Sequence, residues 1–206
     1  GTLGDHNDTY YKEGIYVGYR YFDTVGKSAL FPFGYGLSYT TFKIDNYDIN
    51  LNDCIVDINV DVENTGKYSG KEVVQVYLSS PFGKLDKPYQ ELATYKKTKL
   101  LNCNDKQRLN ISFDIRDFAS FDEQSSAYIL EAGKYIVRIG NSSVDTVVID
   151  VIELDKEVIV RKVKSCCGNP DFKDYRPEIN YKDDDLDNIK VLKLDSSKIN
   201  TEIINY

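Results

Sequence analysis

Aspartates spaced like calcium ligands occur near the end of the chain. Asp183, Asp185 and Asp187 lie at every second position, as at the start of a calcium-binding loop. Such a loop needs glycine at its sixth position and glutamate at its twelfth, but this chain has Asn188 and Leu194 there. We therefore interpret the run as a solvated acidic segment and predict no metal site in it.

The thiols and the single imidazole also lack the spacing of a chemical site. Cys166 and Cys167 are adjacent, which suits neither an ordinary mutual disulfide nor a C-x-x-C motif, and Cys54 and Cys103 stand alone. His6 lies in a polar stretch without a partner ligand in the sequence. We predict structural or incidental thiols, with no metal and no cofactor. This cysteine usage leans toward a reducing, cytoplasmic compartment, although the sequence leaves export open.

Tyrosine is the residue type most suited to binding. The chain has 17 Tyr and 9 Phe, and many of the tyrosines occur near its start. Such rings can form a platform for polysaccharide, or they can pack against a neighbouring domain, because tyrosine suits surfaces that are apolar on one side and wet on the other. We favour packing and keep the carbohydrate-binding surface as the alternative. The residues concerned are Tyr10, Tyr11, Tyr16, Tyr19, Tyr21, Tyr35 and Tyr39.

Charge and length exclude several classes of function. In 206 residues, 26 Lys and Arg face 33 Asp and Glu, which gives a net charge of -7. This charge disfavours nucleic acid and anionic lipid as partners. No apolar run approaches the roughly 20 residues of a membrane-spanning helix. The chain contains no Met and opens with Gly-Thr-Leu-Gly, so we expect it to be a piece of a longer protein.

Alternation with period 2 dominates the middle of the chain and predicts strands. In residues 54–63, Val56, Ile58, Val60 and Val62 fall on one face, and acidic and amide side chains fall on the other. Similar patterns occupy residues 72–79, 109–115, 135–139 and 147–151, and weaker ones occupy 42–50, 91–101 and 157–163.

Seven or eight such strands with frequent turns predict an all-β, antiparallel β-sandwich with irregular flanking segments. Because the chain contains no Trp, an antibody-type Cys–Trp–Cys frame is excluded. A fibronectin type III-like (immunoglobulin-like) sandwich therefore fits better. We divide the chain into a Gly- and Tyr-rich segment 1–41, a sandwich domain 42–164 and a polar acidic linker or tail 165–206.

Four stretches resemble glycoside hydrolase family 3, the β-glucosidase and β-xylosidase family. "EGIYVGYRYFDT" (13–24) and "LFPFGYGLSYTTF" (30–42) resemble the end of its α/β sandwich domain. "VENTGKYSGKEVVQVYLSSP" (62–81) and "KPYQELATYKK" (87–97) resemble the fibronectin type III-like domain that follows. The chain continues well past Ile152, so it also resembles members with a permuted order, in which these domains precede the catalytic barrel.

The resemblance implies a retaining β-glucosidase as the parent, with an aspartate nucleophile on the barrel and a glutamate acid/base on the α/β domain. Neither motif occurs in this chain, and we transfer no catalytic role to Glu13 or Asp23. We therefore predict no catalytic, cofactor-binding or metal-binding residue, and an inactive chain on its own. Its expected role is to pack on and support the parent's catalytic domains, and oligosaccharide substrate at the domain edge is a second partner to consider. Adhesin-like protein recognition is a third hypothesis, which rests on fold analogy alone.

Overall fold

The computed structural model describes residues 9–164, 172–180 and 184–204. A short helix, α1 (Tyr19–Thr24), precedes the strands. The strands are β1 (Phe42–Asn52), β2 (Ile55–Asn64), β3 (Val73–Ser79), β4 (Glu91–Lys97), β5 (Lys106–Asp114), β6 (Ser120–Asp122), β7 (Ala127–Leu130), β8 (Gly133–Gly140), β9 (Thr146–Leu154), β10 (Val158–Lys162), β11 (Val191–Leu194) and β12 (Glu202–Ile203). Short 3₁₀ helices occupy Ile115–Phe118 and Ser196–Lys198.

Two sheets share one hydrophobic core. One has the order β1-β2-β5, and the other has the order β11-β9-β8-β3-β4. Pairing is antiparallel throughout, apart from β11 beside β9 and β12 beside β10. Aliphatic residues from both sheets belong to the same buried cluster, for example Val56 and Ile58 of the first sheet with Val76 and Val137 of the second. The predicted all-β, fibronectin type III-like sandwich is confirmed.

Strand β2 shows how the alternation builds this core. Its four aliphatic residues Val56, Ile58, Val60 and Val62 have no exposed surface. The intervening polar residues face outward and bond across the sheet. Asp61 accepts a hydrogen bond from Arg108 on β5 at 2.8 Å, and Asn110 donates to Asn59 at 3.1 Å. The inward and outward faces are those predicted from the sequence.

Strand β3 departs from simple alternation, because both of its faces are covered. Val74, Val76 and Leu78 point into the core, yet Gln75 and Tyr77 on the other face are also buried. The segment before β1 lies over that second face. Tyr19 of α1 contacts the Tyr77 ring edge-on, with centroids 6.1 Å apart. The Gly- and Tyr-rich stretch around α1 is therefore packed onto the sandwich.

A further sheet has the order β12-β10-β7-β6. The sequence predicted β10 but not β6, β7 and β12, since strands of two to four residues are too short to show a period. In the part of the chain that the structure describes, no helix is long and apolar enough to cross a membrane.

Residues 191–203 contribute β11 to the five-stranded sheet and β12 to the four-stranded sheet. β11 pairs in parallel with β9, with Val191 opposite Val151, and Leu194 and Ile199 belong to the hydrophobic core. A strand as short as β11 shows no clear hydrophobic alternation within a polar segment, so the sequence did not predict it. The division of the chain at 41/42 and 164/165 stays a prediction, but residues 191–203 pack on the sandwich as part of its structure.

Candidate functional site

A loop with exposed apolar side chains is the most unusual surface of the molecule. We call residues 30–39 the aromatic loop. Leu30, Phe31, Leu37 and Tyr39 are 89%, 68%, 90% and 96% exposed. Removing an apolar side chain from water is favourable by roughly 25 cal/mol per Å² of surface buried. These exposed side chains do not gain that free energy unless a partner covers them. Contiguous exposed apolar residues mark interaction sites in soluble proteins.

The backbone of the aromatic loop is fixed although its side chains are exposed. Ser143 donates its backbone N–H to the Phe33 carbonyl at 2.9 Å, and the Gln75 side-chain amide donates to the Gly34 carbonyl at 3.3 Å. The Phe33 ring stacks on Tyr19, with centroids 4.6 Å apart. Gly34 has a φ of +79°, and a Cβ there would lie 2.1 Å from the Gln75 side-chain oxygen. The left-handed backbone and this close approach both favour glycine at this position.

Helix α1 is attached to the start of β4 by three polar contacts. Leu92 donates its backbone N–H to the Tyr19 hydroxyl at 2.8 Å, and Arg20 pairs with Glu91 at 3.1 Å. Tyr89 donates its backbone N–H to Thr24 Oγ1 at 2.8 Å. The two stretches that resembled separate parts of the family, 13–24 and 87–97, are thus in direct contact.

Asp23 lies inside this contact. Its carboxylate accepts a hydrogen bond from Gln90 Nε2 at 2.9 Å, and the same nitrogen donates to the Ser143 carbonyl. Burial raises the pKa of Asp23, while the hydrogen bond from Gln90 opposes part of that rise. Asp23 thus joins α1 to the sandwich. Glu13, the other acidic residue considered above, is exposed.

The predicted tyrosine cluster separates into two groups. Tyr16 is buried, and its hydroxyl donates to the Lys87 carbonyl at 3.4 Å. Tyr19 packs on Phe33 and Tyr77, Tyr10 packs on Phe172, and Tyr21 packs on Phe22. Tyr11, Tyr35 and Tyr39 are exposed. Much of the cluster therefore packs internally.

The other candidate groups have ordinary surroundings where the structure describes them. Cys54 is buried and Cys103 is exposed, both as free thiols. Asp185 Oδ1 accepts the Asp187 backbone N–H at 3.0 Å, a local turn contact. His6, Cys166, Cys167 and Asp183 lie outside the described residues. Within residues 9–164, 172–180 and 184–204, no group of three His, Cys, Asp or Glu side chains is placed to hold a metal.

Two ion pairs with buried cations, Lys87 and Arg138, were not foreseen from the sequence. Lys87 and Glu131 lie 2.6 Å apart, with side chains 2% and 7% exposed. Glu131 also accepts the backbone N–H of Lys84 at 2.7 Å and so holds the loop before β4. Arg138 pairs through both terminal nitrogens with Asp184 and lies over the Tyr89 ring at 4.7 Å. The partners are 44 and 46 residues apart, so no local spacing could reveal them.

The comparisons with known proteins agree on one family. A family model for the fibronectin type III-like domain matches residues 72–143. β-Glucosidase A of Butyrivibrio fibrisolvens is 42% identical over 191 residues, covering 80% of this chain and 23% of that protein.

Two solved structures show the same likeness. A β-glucosidase from Paenibacillus barengoltzii matches with a TM-score of 0.73 and 38% identity, covering 79% of this chain and 19% of that one. The GH3 β-glucosidase of Bifidobacterium adolescentis matches with a TM-score of 0.65 and 36% identity, covering 69% of this chain and 21% of that one. The chain thus spans 19% to 23% of the length of these three relatives. By sequence and by fold, the chain matches a part of glycoside hydrolase family 3 β-glucosidases that includes a fibronectin type III-like domain.

Proposed function

We propose that this chain is a non-catalytic accessory region of a retaining β-glucosidase, and that it packs on and supports the catalytic domains. The observation that carries the proposal is the aromatic loop, whose apolar side chains face outward from an anchored backbone. A surface fixed in this way is prepared for a permanent partner, because little conformational entropy is lost when it is covered.

The comparisons support the parent's own catalytic domains as the partner. The relatives are four to five times longer than the stretch they share with this chain, since that stretch is 19% to 23% of their length. Within that larger polypeptide, the apolar side chains of the aromatic loop have catalytic domains to pack against. The loop and its anchors would then set the position of the sandwich relative to those domains.

Two activity measurements test the proposal. The 206-residue chain should not hydrolyse an aryl β-glucoside, whereas the full-length protein should. In the full-length protein, the double substitution Leu30→Ser/Leu37→Ser should lower both Tm and aryl-glucosidase activity. Tyr95→Ser is the matched control, because Tyr95 is 65% exposed but lies on β4 outside the aromatic loop. Turnover by the chain alone, or equal effects of the loop and control variants, would contradict the proposal.

A further inference from the structure

A row of four exposed side chains crosses the sheet β12-β10-β7-β6. Phe121 of β6 is the register partner of Tyr128 on β7, Tyr128 is the partner of Arg161 on β10, and Arg161 is the partner of Glu202 on β12. We call these four residues the cross-strand row. At the usual spacing between strands it extends over roughly 14 Å. None of the four was singled out by the sequence analysis.

Neighbouring side chains in the row are in contact. The rings of Phe121 and Tyr128 have centroids 5.2 Å apart, the Arg161 guanidinium lies 5.9 Å from the Tyr128 ring centre, and Arg161 pairs with Glu202 at 2.7 Å. Phe121 is 41% and Tyr128 is 38% exposed, whereas Ala127 and Ile129 on either side of Tyr128 are buried. The sheet therefore uses one face for the core and presents aromatic and charged groups on the other.

A depression of about 330 Å³ adjoins the row. Its lining includes Tyr128, Arg161 and Glu202, together with Asp114, Asp117 and Asn200. Hydrogen-bonding groups thus lie beside an exposed ring. A ligand with an apolar face and a polar edge matches this combination, since the ring can contact the C–H face while the amide and carboxylates meet hydroxyl groups.

The charges around the depression favour an uncharged ligand. Arg161 is paired with Glu202, and Arg116 is paired with Asp114 through its Nε and a terminal nitrogen. Asp117 adds a third carboxylate to those of Asp114 and Glu202. With the two guanidinium groups, the lining has a net charge of 2 minus 3, or -1. An anionic ligand would have to displace an existing ion pair and face this excess of negative charge.

The geometry points to a binding site for a soluble, neutral oligosaccharide along the cross-strand row. The planes of the Phe121 and Tyr128 rings differ by 51°. Two rings inclined in this way cannot both lie against one flat crystalline surface, but they can contact successive sugar rings of a flexible chain. The cross-strand row shares no residue with the aromatic loop.

Calorimetric titration of the 206-residue chain with cellohexaose, and with maltohexaose as a second linkage, tests this inference. We expect millimolar or tighter binding of at least one of the two. Phe121→Ala and Tyr128→Ala should each weaken it at least tenfold, and Tyr47→Ala should leave it unchanged. Tyr47 is a suitable control because it is 43% exposed and lies on β1. Tyr128→Phe keeps the ring and should retain most of the affinity.

Two further measurements distinguish the alternatives. Thermal unfolding of each variant shows whether a loss of binding comes from a loss of folding. If Tyr128→Ala does not fold, Phe121→Ala still tests the site, because Phe121 lies on the edge strand β6. Microcrystalline cellulose should retain none of the chain, and an oligogalacturonate should bind more weakly than the neutral sugars. The inference is overturned if neither hexasaccharide binds at millimolar concentration, if both alanine variants bind as well as the unsubstituted chain, or if the anionic sugar binds best.

Discussion

At the scale of single residues, the buried pair Lys87–Glu131 makes the stability of the fold sensitive to substitution. Replacing Lys87 by Met leaves the Glu131 carboxylate buried without its cation, which should lower the free energy of unfolding by about 3–5 kcal/mol. Lys84→Met is the matched control. Lys84 also pairs with carboxylates but its side chain is 50% exposed, and a surface pair contributes only about 0–1 kcal/mol. Urea denaturation of both variants measures the difference.

The Lys87→Met variant should also respond to pH in a defined direction. Burial on its own would raise the pKa of Glu131, but the hydrogen bonds from Lys87 and Lys84 hold that pKa below its ordinary value. The stability contributed by Glu131 is therefore present at neutral pH and is lost as pH falls through its folded pKa. Protonation also removes the uncompensated charge of the variant, so its deficit should shrink below about pH 4. An equal deficit at pH 7 and pH 3 would contradict this account.

Asp150 on β9 has the opposite behaviour. It is 1% exposed, burial raises its pKa, and the Lys190 ammonium, 3.9 Å away, offsets only part of that rise while Asp48 adds to it. A carboxyl with a raised folded pKa favours folding at low pH, and its contribution is lost as pH rises from the unfolded value toward the folded one. Asp150→Asn should therefore stabilise the chain at pH 7 by about 1 kcal/mol, or 2–4 °C in Tm.

Differential scanning calorimetry at pH 7 and pH 4 measures the effect of Asp150→Asn. The gain should be smaller at pH 4, where Asp150 itself is closer to protonated. Glu123→Gln removes a carboxylate from an exposed position and serves as the control, with no expected change. A loss of stability in Asp150→Asn at pH 7 would show that the pair with Lys190 outweighs desolvation.

At the scale of elements, β11 tests whether residues 191–203 are a linker or part of the fold. Leu194 is 3% exposed and lies in the core, whereas Val191 on the same strand is 44% exposed. Leu194→Ala should cost about 2–5 kcal/mol, because it leaves a cavity. Val191→Ala should stay within about 0.5 kcal/mol. If chemical denaturation finds the two variants equal, β11 does not contribute to the core.

The aromatic loop offers a matched pair of glycines. Gly34 has a positive φ and no room for a Cβ, while a Cβ at Gly36 would meet nothing within 4 Å. Gly34→Ala should therefore release the backbone bond from Ser143 to Phe33, at a cost of about 1–3 kcal/mol. Hydrogen exchange of the Ser143 amide reports the release directly. Gly36→Ala should leave that amide protected, and faster exchange in both variants would locate the constraint elsewhere.

At the scale of the whole molecule, alternation along the chain was enough to predict the sandwich, because β2 and β5 each have one buried and one wetter face. The eight predicted stretches all correspond to strands. Both faces of β3 are buried, and the covering of Gln75 and Tyr77 by the first segment was not predictable, since it depends on contacts between residues far apart in sequence. Strands β6, β7, β11 and β12 are too short to show a period.

The functional surfaces were foreseen less completely. Residues 30–42 were identified by their resemblance to the family, and two tyrosines of the aromatic loop, Tyr35 and Tyr39, were among those expected to pack against a neighbouring domain. The cross-strand row was not foreseen, because Phe121, Tyr128, Arg161 and Glu202 become neighbours only through strand register. The ion pairs Lys87–Glu131 and Arg138–Asp184 depend on the tertiary fold in the same way.

Hydroxyl-radical footprinting of the aromatic loop tests the central proposal most directly, by comparing the 206-residue chain with the full-length protein. Leu30, Phe31, Leu37 and Tyr39 are highly exposed in this chain and should be oxidised rapidly in it. In the full-length protein they should be protected severalfold, while Tyr47 and Tyr95 should react equally in both. Equal oxidation of the aromatic loop in the two proteins would show that no catalytic domain covers it, and the proposed supporting role would be wrong.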